Sequence, residues 1–210
     1  MNLRKLGLRV VMAVAAVCAA GSGAAAPVVG VTISNDGDLV DNSPWNLGYS
    51  FVANSAISVV SLGVWDQAGD GLVNRHEVGL WASNGTLLAS TFVGAGTTGI
   101  LDAGFRFADI APVALTAGAT YYVGATFNGP NDDQWTADPT SLVTAPQISY
   151  DSRRYQSGST LVFPDLAGSN TTGYWGGNVR LDAVSVPEPA SVLLLGLALA
   201  GLAATRRRGN

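Results

Sequence analysis

The chain has one cysteine in 210 residues, and that cysteine, Cys18, lies in an apolar stretch near the N-terminus. The rest of the chain therefore contains no thiol, which excludes disulfides, thiol catalysis and cysteine-ligated metal sites beyond residue 18. The fold must be stabilised by its own hydrophobic core, which a segment of about 160 residues is long enough to supply.

Positive charge and histidine are also scarce. Lys5 is the only lysine, and residues 27–185 carry fourteen acidic side chains against five arginines, a net charge of −9. This balance argues against binding to nucleic acid or to an anionic lipid surface. The only histidine, His76, is not accompanied by enough N or S ligands for zinc or by a GxSxG motif. We interpret His76 as a structural residue at the start of a strand.

The N-terminus has the pattern of a secretory signal peptide. Basic residues at positions 4, 5 and 9 precede the apolar run Val10–Ala20, and the small residues of GSGAAAP follow. The run is too short to indicate a membrane span. We predict a helical signal peptide over residues 1–26, which signal peptidase removes after export.

A second apolar segment closes the chain. Residues 190–205 are apolar apart from two hydroxyl residues. They are followed by Arg206, Arg207 and Arg208. As a helix, this segment would be about 24 Å long at ~1.5 Å per residue, which approaches the ~30 Å hydrocarbon layer of a membrane. The arginines would stay in the cytoplasm, so we predict a transmembrane helix that tethers the exported chain to the inner membrane.

A short proline motif stands directly before this helix. Its residues are Val186, Pro187, Glu188 and Pro189. A Val-Pro-Glu-Pro sequence, an apolar helix and an arginine cluster in this order, over residues 186–210, resemble the PEP-CTERM sorting signal of Gram-negative bacteria. The prolines hold the motif extended at the membrane surface, which suits presentation to an enzyme in the same membrane.

The resemblance implies that an exosortase, a membrane-embedded transpeptidase-like enzyme, removes the tail. The body would then be released or attached at the cell surface. Proteins with this signal are usually linked to exopolysaccharide and biofilm matrix. The alternative interpretation of residues 186–210 is a plain membrane anchor.

The body, residues 27–185, shows no long apolar stripe at helical spacing. Short β-prone runs recur instead between turn residues, at 47–53, 57–65, 76–82, 86–93, 104–110, 120–127 and 174–184. Ser83-Asn84-Gly85 predicts a hairpin between the third run and the fourth. This spacing predicts an all-β fold, a single antiparallel β-sandwich that is jelly-roll-like. Residues 128–172, with four prolines, are predicted to be loop-rich.

The segment DQAGDGLVNRHE, residues 66–77, aligns with a twelve-residue calcium loop. Its candidate ligands, at positions 1, 5, 9 and 12 of that loop, are Asp66, Asp70, Asn74 and Glu77. A glycine occupies the sharp turn, but position 3 is an alanine and offers no ligand. The flanking residues favour strands over the helices of an EF-hand. Two interpretations stay open: a calcium loop between strands, or an acidic turn that reverses the chain.

Two further segments carry chemistry suited to sugars. NGPNDDQW, residues 128–135, combines two aspartates with Trp135, whose ring could stack on a sugar. Arg153-Arg154 lies beside two tyrosines and could pair with an acidic polysaccharide. A polar surface loop is the simpler interpretation of the first segment, and a solvated loop that of the second.

The sequence as a whole predicts an exported, exosortase-sorted cell-surface or extracellular-matrix protein that is not an enzyme and binds exopolysaccharide. One alternative is a purely structural surface protein. Another is a secreted carbohydrate-active hydrolase, because glycosidases need only two carboxylates. Two carboxylates close together in an aromatic cleft would favour the hydrolase, and a flat aromatic surface would favour the binding protein.

Overall fold

The computed structural model describes residues 26–183 except 35, 43, 129–132 and 169–172. The described residues all belong to one compact unit, Ala24–Val186. The sorting tail and, apart from Ala26, the predicted signal peptide lie outside the described residues, so the two terminal helices stay predictions. Within the described ranges, no helix has the length and hydrophobicity that crossing a bilayer requires.

The regular secondary structure of the described residues is entirely β, which confirms the predicted all-β class. The strands are β1 (Val28–Val29), β2 (Val31–Ile33), β3 (Asp38–Val40), β4 (Trp45–Ala53), β5 (Ile57–Trp65), β6 (His76–Ala82), β7 (Leu87–Val93), β8 (Ile100–Asp102), β9 (Phe105–Leu115), β10 (Thr120–Phe127), β11 (Trp135–Ala137), β12 (Leu142–Thr144), β13 (Ile148–Ser157), β14 (Leu166–Ala167), β15 (Tyr174–Trp175) and β16 (Gly177–Ala183).

Two large antiparallel sheets contain most of these strands. One has the order β1-β16-β5-β9-β8, and the other has the order β14-β13-β4-β10-β6-β7. Two small sheets, β15-β11-β3 and β12-β2, complete the pairing. The large sheets contact each other through β5, β9 and β16 of the five-stranded sheet and β4, β6, β7 and β10 of the six-stranded sheet. The largest side chains that are wholly buried are Trp65, Trp175, Tyr49, Phe51, Phe105, Phe107 and Phe127.

The predicted hairpin between β6 and β7 is present. Gly85 takes a positive φ of 81°, a conformation that glycine adopts without steric cost. The Ala82 amide donates to the Thr86 carbonyl at 3.0 Å, and the Thr86 amide donates to the Asn84 side chain at 3.0 Å. The hairpin predicted from Ser83-Asn84-Gly85 is therefore confirmed.

The prediction that residues 128–172 are loop-rich is wrong for β13, a ten-residue strand that pairs with β4 along its whole length. A bulge between Tyr150 and Ser152 interrupts the alternation of buried and exposed side chains. The sequence of β13, ISYDSRRYQS, therefore lacks the period of two that identifies a strand. Arg153 and Arg154 belong to this strand, so the solvated-loop interpretation of the arginine pair is also wrong.

Candidate functional site

A buried ion pair fixes the loop between β5 and β6. Asp66, directly after β5, is 3% exposed and accepts a 2.6 Å hydrogen bond from Nε of Arg106 on β9. The same guanidinium donates to the Gly69 carbonyl at 3.0 Å. The loop is thereby tied to the neighbouring strand through a carboxylate whose charge is already balanced.

The geometry bears on the calcium interpretation of this loop. Asp66 faces Arg106, Asp70 and Asn74 are exposed, and Glu77 lies on β6 and is partly exposed. Among the described residues, no three His, Cys, Asp or Glu side chains are grouped closely enough to hold a metal ion. The residues as placed do not form a calcium site, and binding would require Asp66 to leave Arg106. Calcium binding therefore stays a prediction.

A second contact closes the same loop from the opposite side. The carboxylate of Asp133 accepts the Val73 amide at 3.0 Å and the Asn74 amide at 3.3 Å. Its Oδ2 also lies 2.7 Å from Nε2 of His76, which is 0% exposed at the start of β6. Asp133 thus joins the segment before β11 to the segment before β6.

Both ring nitrogens of His76 lie close to oxygen acceptors. Its Nδ1 lies 2.6 Å from the Thr126 carbonyl oxygen, which can only accept, so Nδ1 carries a proton. Burial raises the pKa of Asp133, but the hydrogen bonds from His76 and from the Val73 and Asn74 amides outweigh it and hold the pKa below its usual value. An ionised Asp133 also only accepts hydrogen bonds. The structural role expected for His76 agrees with these contacts.

Trp135 does not form a stacking platform, because it lies on β11 and is only 6% exposed. Of the two aspartates in the segment 128–135, Asp132 lies outside the described residues, and Asp133 is engaged as above.

An open cleft of about 480 Å³ is the more promising candidate site. We name it the transverse cleft, because its lining crosses the five-stranded sheet from β16 through β5 and β9 to β8. It is lined by Pro27, Val60, Ser61, Ile100, Asp109, Ile110, Arg180 and Asp182. Its volume lies within the range of small-molecule sites, roughly 300–1,000 Å³.

A polar row forms the centre of the transverse cleft. Arg180 is paired with Ser61, and Ser61 is paired with Asp109, so the three side chains share one face of adjacent strands. The Ser61 hydroxyl donates to Oδ1 of Asp109 at 2.8 Å. Arg180 Nε lies 3.6 Å from Oδ2 of Asp102.

A β-bulge explains why a serine faces the cleft. Against β16, the consecutive residues Arg180 and Leu181 pair with Ser61 and Val59, which leaves Val60 as an extra residue of β5. Against β9, Val59 pairs with Val113 and Ser61 with Asp109, so that three residues of β9 lie opposite Val60. Val59 and Leu62 are both wholly buried although they are three residues apart. The extra residue therefore lets Ser61 turn towards the cleft while the strand continues to fill the core.

The transverse cleft also contains polar atoms without partners. Oδ1 of Asp182 and Nε of Arg180 are buried and make no hydrogen bond with a described residue. A buried polar atom without a partner costs free energy, on the order of 1–3 kcal/mol. A ligand with hydroxyl groups could donate to Asp109 and Asp182 and accept from Arg180, since carboxylates only accept and guanidinium only donates.

No motif in the sequence marks the polar residues of the transverse cleft. Ser61, Asp109, Arg180 and Asp182 are single polar residues within β-prone runs, and they are far apart in the chain. The available signal was a carboxylate inside an otherwise apolar strand, as in FADIA around Asp109 and RLDAV around Asp182.

Comparison with known families agrees with the interpretation of the tail. Residues 185–208 match the PEP-CTERM protein-sorting motif, so this is an exported, surface-directed protein of the exosortase-sorted class. The motif residues themselves, Val186–Pro189 and Arg206–Arg208, lie outside the described residues.

The body has a family of its own. Residues 32–176 match the family model described as a domain of unknown function, DUF4082, and the chain belongs to that family. No curated protein and no solved structure matches the chain.

We predict that the two neighbouring loop aspartates differ sharply in importance. Asp66→Asn should lower the free energy of unfolding by about 3–5 kcal/mol, because it leaves the buried Arg106 without its counter-charge. Asp70→Asn, the matched control at an exposed position, should change it by about 0.5 kcal/mol or less. Urea unfolding of the exported protein in chelator measures both, and equal effects would contradict the account of the ion pair.

The same unfolding curves, repeated in millimolar calcium, test the calcium interpretation. A calcium-dependent rise in stability that Glu77→Gln removes would support a calcium loop. Coinciding curves with and without calcium would leave an acidic turn.

A further prediction concerns acid unfolding. The pKa of Asp133 is lowered in the folded state, so its stabilising contribution is complete above its ordinary pKa of 3.8 and is lost as the pH falls below that value. Asp133→Asn should reduce stability at pH 7 by about 1–3 kcal/mol. It should also flatten the loss of stability below pH 3.8. Denaturant unfolding at several pH values tests this, with exposed Asp165→Asn as control, and a variant as acid-sensitive as the wild type would refute it.

Proposed function

We propose that this protein is a non-catalytic cell-surface or extracellular-matrix protein that binds exopolysaccharide in the transverse cleft. Export and exosortase sorting follow from the tail motif. Residues 27–185 act as one jelly-roll-like β-sandwich. The signal peptide over residues 1–26 directs export, and the helix over residues 190–205 tethers the chain to the inner membrane until the tail is cut.

The polar row of the transverse cleft carries the proposal for binding. Asp109 accepts one hydrogen bond from Ser61 and keeps further acceptor capacity, and Oδ1 of Asp182 has no described partner. Neighbouring hydroxyls of a sugar ring are donors and acceptors at short spacing, which matches alternating carboxylate and guanidinium groups. The aliphatic side chains of Val60, Ile100 and Ile110 add apolar lining between the polar groups.

The contacts elsewhere in the body favour a binding role over catalysis. His76, the only histidine, has both ring nitrogens engaged with acceptors. Asp66 and Asp133 are committed to the structural contacts of the loop. These contacts account for the placement of all three groups by a structural role.

A hydrolase is the second candidate, and one observation favours it. Asp109 and Asp182 both line the transverse cleft, and two carboxylates are the minimum for glycoside hydrolysis. The residues that line the cleft include no aromatic side chain. The transverse cleft therefore has two carboxylates in its lining but lacks the aromatic residues that would favour a hydrolase.

We predict that the tail is processed in a host that has an exosortase. Intact-mass analysis of the exported protein should show loss of the tail near Pro187 and Pro189. Replacing both prolines with alanine should let the helix extend and cause unprocessed precursor to accumulate in the membrane. Pro146→Ala, at an exposed position in the body, is the control and should be processed normally. A mature protein that still ends at Asn210 would show a plain anchor.

We also predict binding of an exopolysaccharide by the processed protein on a glycan array. Asp182→Asn should weaken binding to the captured glycan by about tenfold, the equivalent of 1.4 kcal/mol, because it removes an acceptor charge from the cleft. Asp165→Asn, at an exposed position before β14, should leave affinity unchanged.

Assays on the same processed protein distinguish glycan binding, glycan hydrolysis and a purely structural role. Release of reducing ends from the captured glycan, abolished by Asp109→Asn, would establish the hydrolase. Absence of any captured glycan, including the host's own exopolysaccharide, would contradict the binding proposal and favour the structural role.

A further inference from the structure

Arg153 is a buried cation without a counter-charge. It lies on β13, pairs with Tyr49 of β4 and is 7% exposed. Its Nε is buried and has no hydrogen-bond partner. Within the described ranges, no carboxylate comes within 4.0 Å of its guanidinium.

The other described arginines are placed differently. Arg106 pairs with Asp66 at 2.6 Å, Arg154 lies 3.5 Å from Asp151, and Arg180 lies 3.6 Å from Asp102. Arg75 is exposed, and its guanidinium lies 4.5 Å from the centre of the Phe92 ring. Arg153 alone among these five combines burial with the lack of an acidic partner.

The surroundings hold the Arg153 guanidinium in one position. It lies 4.3 Å from the centre of the Tyr174 ring. Against it lies Gly168, where the Cβ of any other residue would collide with the guanidinium. The geometry is thus a cation held between an aromatic face and a glycine backbone.

Two more polar groups lack hydrogen-bond partners, one on the same strand as Arg153 and one in a side chain that packs on the Tyr174 ring. The Tyr150 hydroxyl is buried, and burial raises its pKa to about 12, so it is a neutral donor. Nε1 of Trp135 is also buried and without a partner, and its ring lies 5.2 Å from the Tyr174 ring. Each of these groups can donate a hydrogen bond.

A buried cation without a counter-charge lowers the stability of the fold unless an anion binds to it. Removing a charge from water carries a penalty of several kcal/mol, and a cation–π contact recovers only about 2 kcal/mol of it. Guanidinium matches the planar, two-oxygen geometry of a carboxylate or a sulfate ester, and such hydrogen bonds are the strong ones.

We infer that Arg153 is the centre of an oxyanion-binding site that takes the carboxylate or sulfate group of an acidic sugar. Arg153 supplies the charge, and the Tyr150 hydroxyl and the Trp135 indole supply further donors. The site is built on the six-stranded sheet and its neighbours, whereas the transverse cleft is built on the five-stranded sheet. It therefore goes beyond the proposed function and does not depend on the cleft.

The probe for this site is a galacturonate trisaccharide, compared with its methyl ester at equal ionic strength. The processed protein should melt at a higher temperature with the acid than with the ester, because only the acid offers an anion to Arg153. Sodium sulfate at the same ionic strength is the third arm. A rise with sulfate as large as that with the trisaccharide, and absent in Arg153→Met, would support the site and identify a free inorganic oxyanion as its occupant.

Variants assign the effect to the residue. Arg153→Met keeps the length and apolar stem of the side chain, and should melt no lower than wild type without ligand while losing at least about tenfold in affinity for the acid. Arg153→Lys keeps the charge without the planar fork, and should bind with intermediate affinity. Arg154→Met, one residue along the same strand, is the matched control and should bind as wild type does.

Three results would overturn the inference: equal melting temperatures with the acid and the ester, a response to the acid that persists in Arg153→Met, or a response that Arg154→Met removes.

Asp182→Asn separates this site from the proposed function. A loss of glycan capture in that variant with an intact response to galacturonate means that the two sites are independent. A response to galacturonate that disappears in Asp182→Asn would place the anion in the transverse cleft and refute a site at Arg153.

Discussion

The extra residue at Val60 is the constraint on which the transverse cleft depends. A regular strand would present alternate residues to the core, and Val59 and Ser61 would then face the same side. The bulge separates them, so Val59 and Leu62 fill the core and Ser61 joins Asp109 and Arg180. The extra residue of β5 opposite β16 and the longer bulge of β9 opposite Val60 thus accompany both a continuous core and a polar row.

Polar contacts hold the loop between β5 and β6 in place, as disulfides hold loops in many exported domains. The loop between β5 and β6 is held by the Asp66–Arg106 pair on one side and by Asp133 with His76 on the other. Each contact satisfies main-chain groups as well as charge, which makes it sensitive to the loss of one partner. Arg106 and His76 are both paired with carboxylates in these contacts. Arg153 is buried as well, but no described carboxylate lies close enough to balance its charge.

The sequence predicted the strands that form short apolar, β-prone runs between turn residues, including β5, β6 and β10, and the hairpin at Gly85. It did not predict β13, because the bulge at Asp151 and the run of polar residues remove the alternation. The candidate site could not be predicted from the sequence, for a different reason. Ser61 and Asp109 become neighbours only through strand register, and register follows from a bulge that no local pattern reveals. The sorting motif of the tail, by contrast, is a linear pattern that the sequence shows directly.

The central claim, that the polar row of the transverse cleft binds a glycan, is tested most directly by mapping the contact surface in solution. Backbone amide resonances of the processed protein can be followed by NMR as fragments of the captured polysaccharide are added. The account predicts shifts concentrated in residues 58–62, 107–111 and 179–183, on three adjacent strands. Binding that leaves those three stretches unperturbed and shifts residues elsewhere would contradict it.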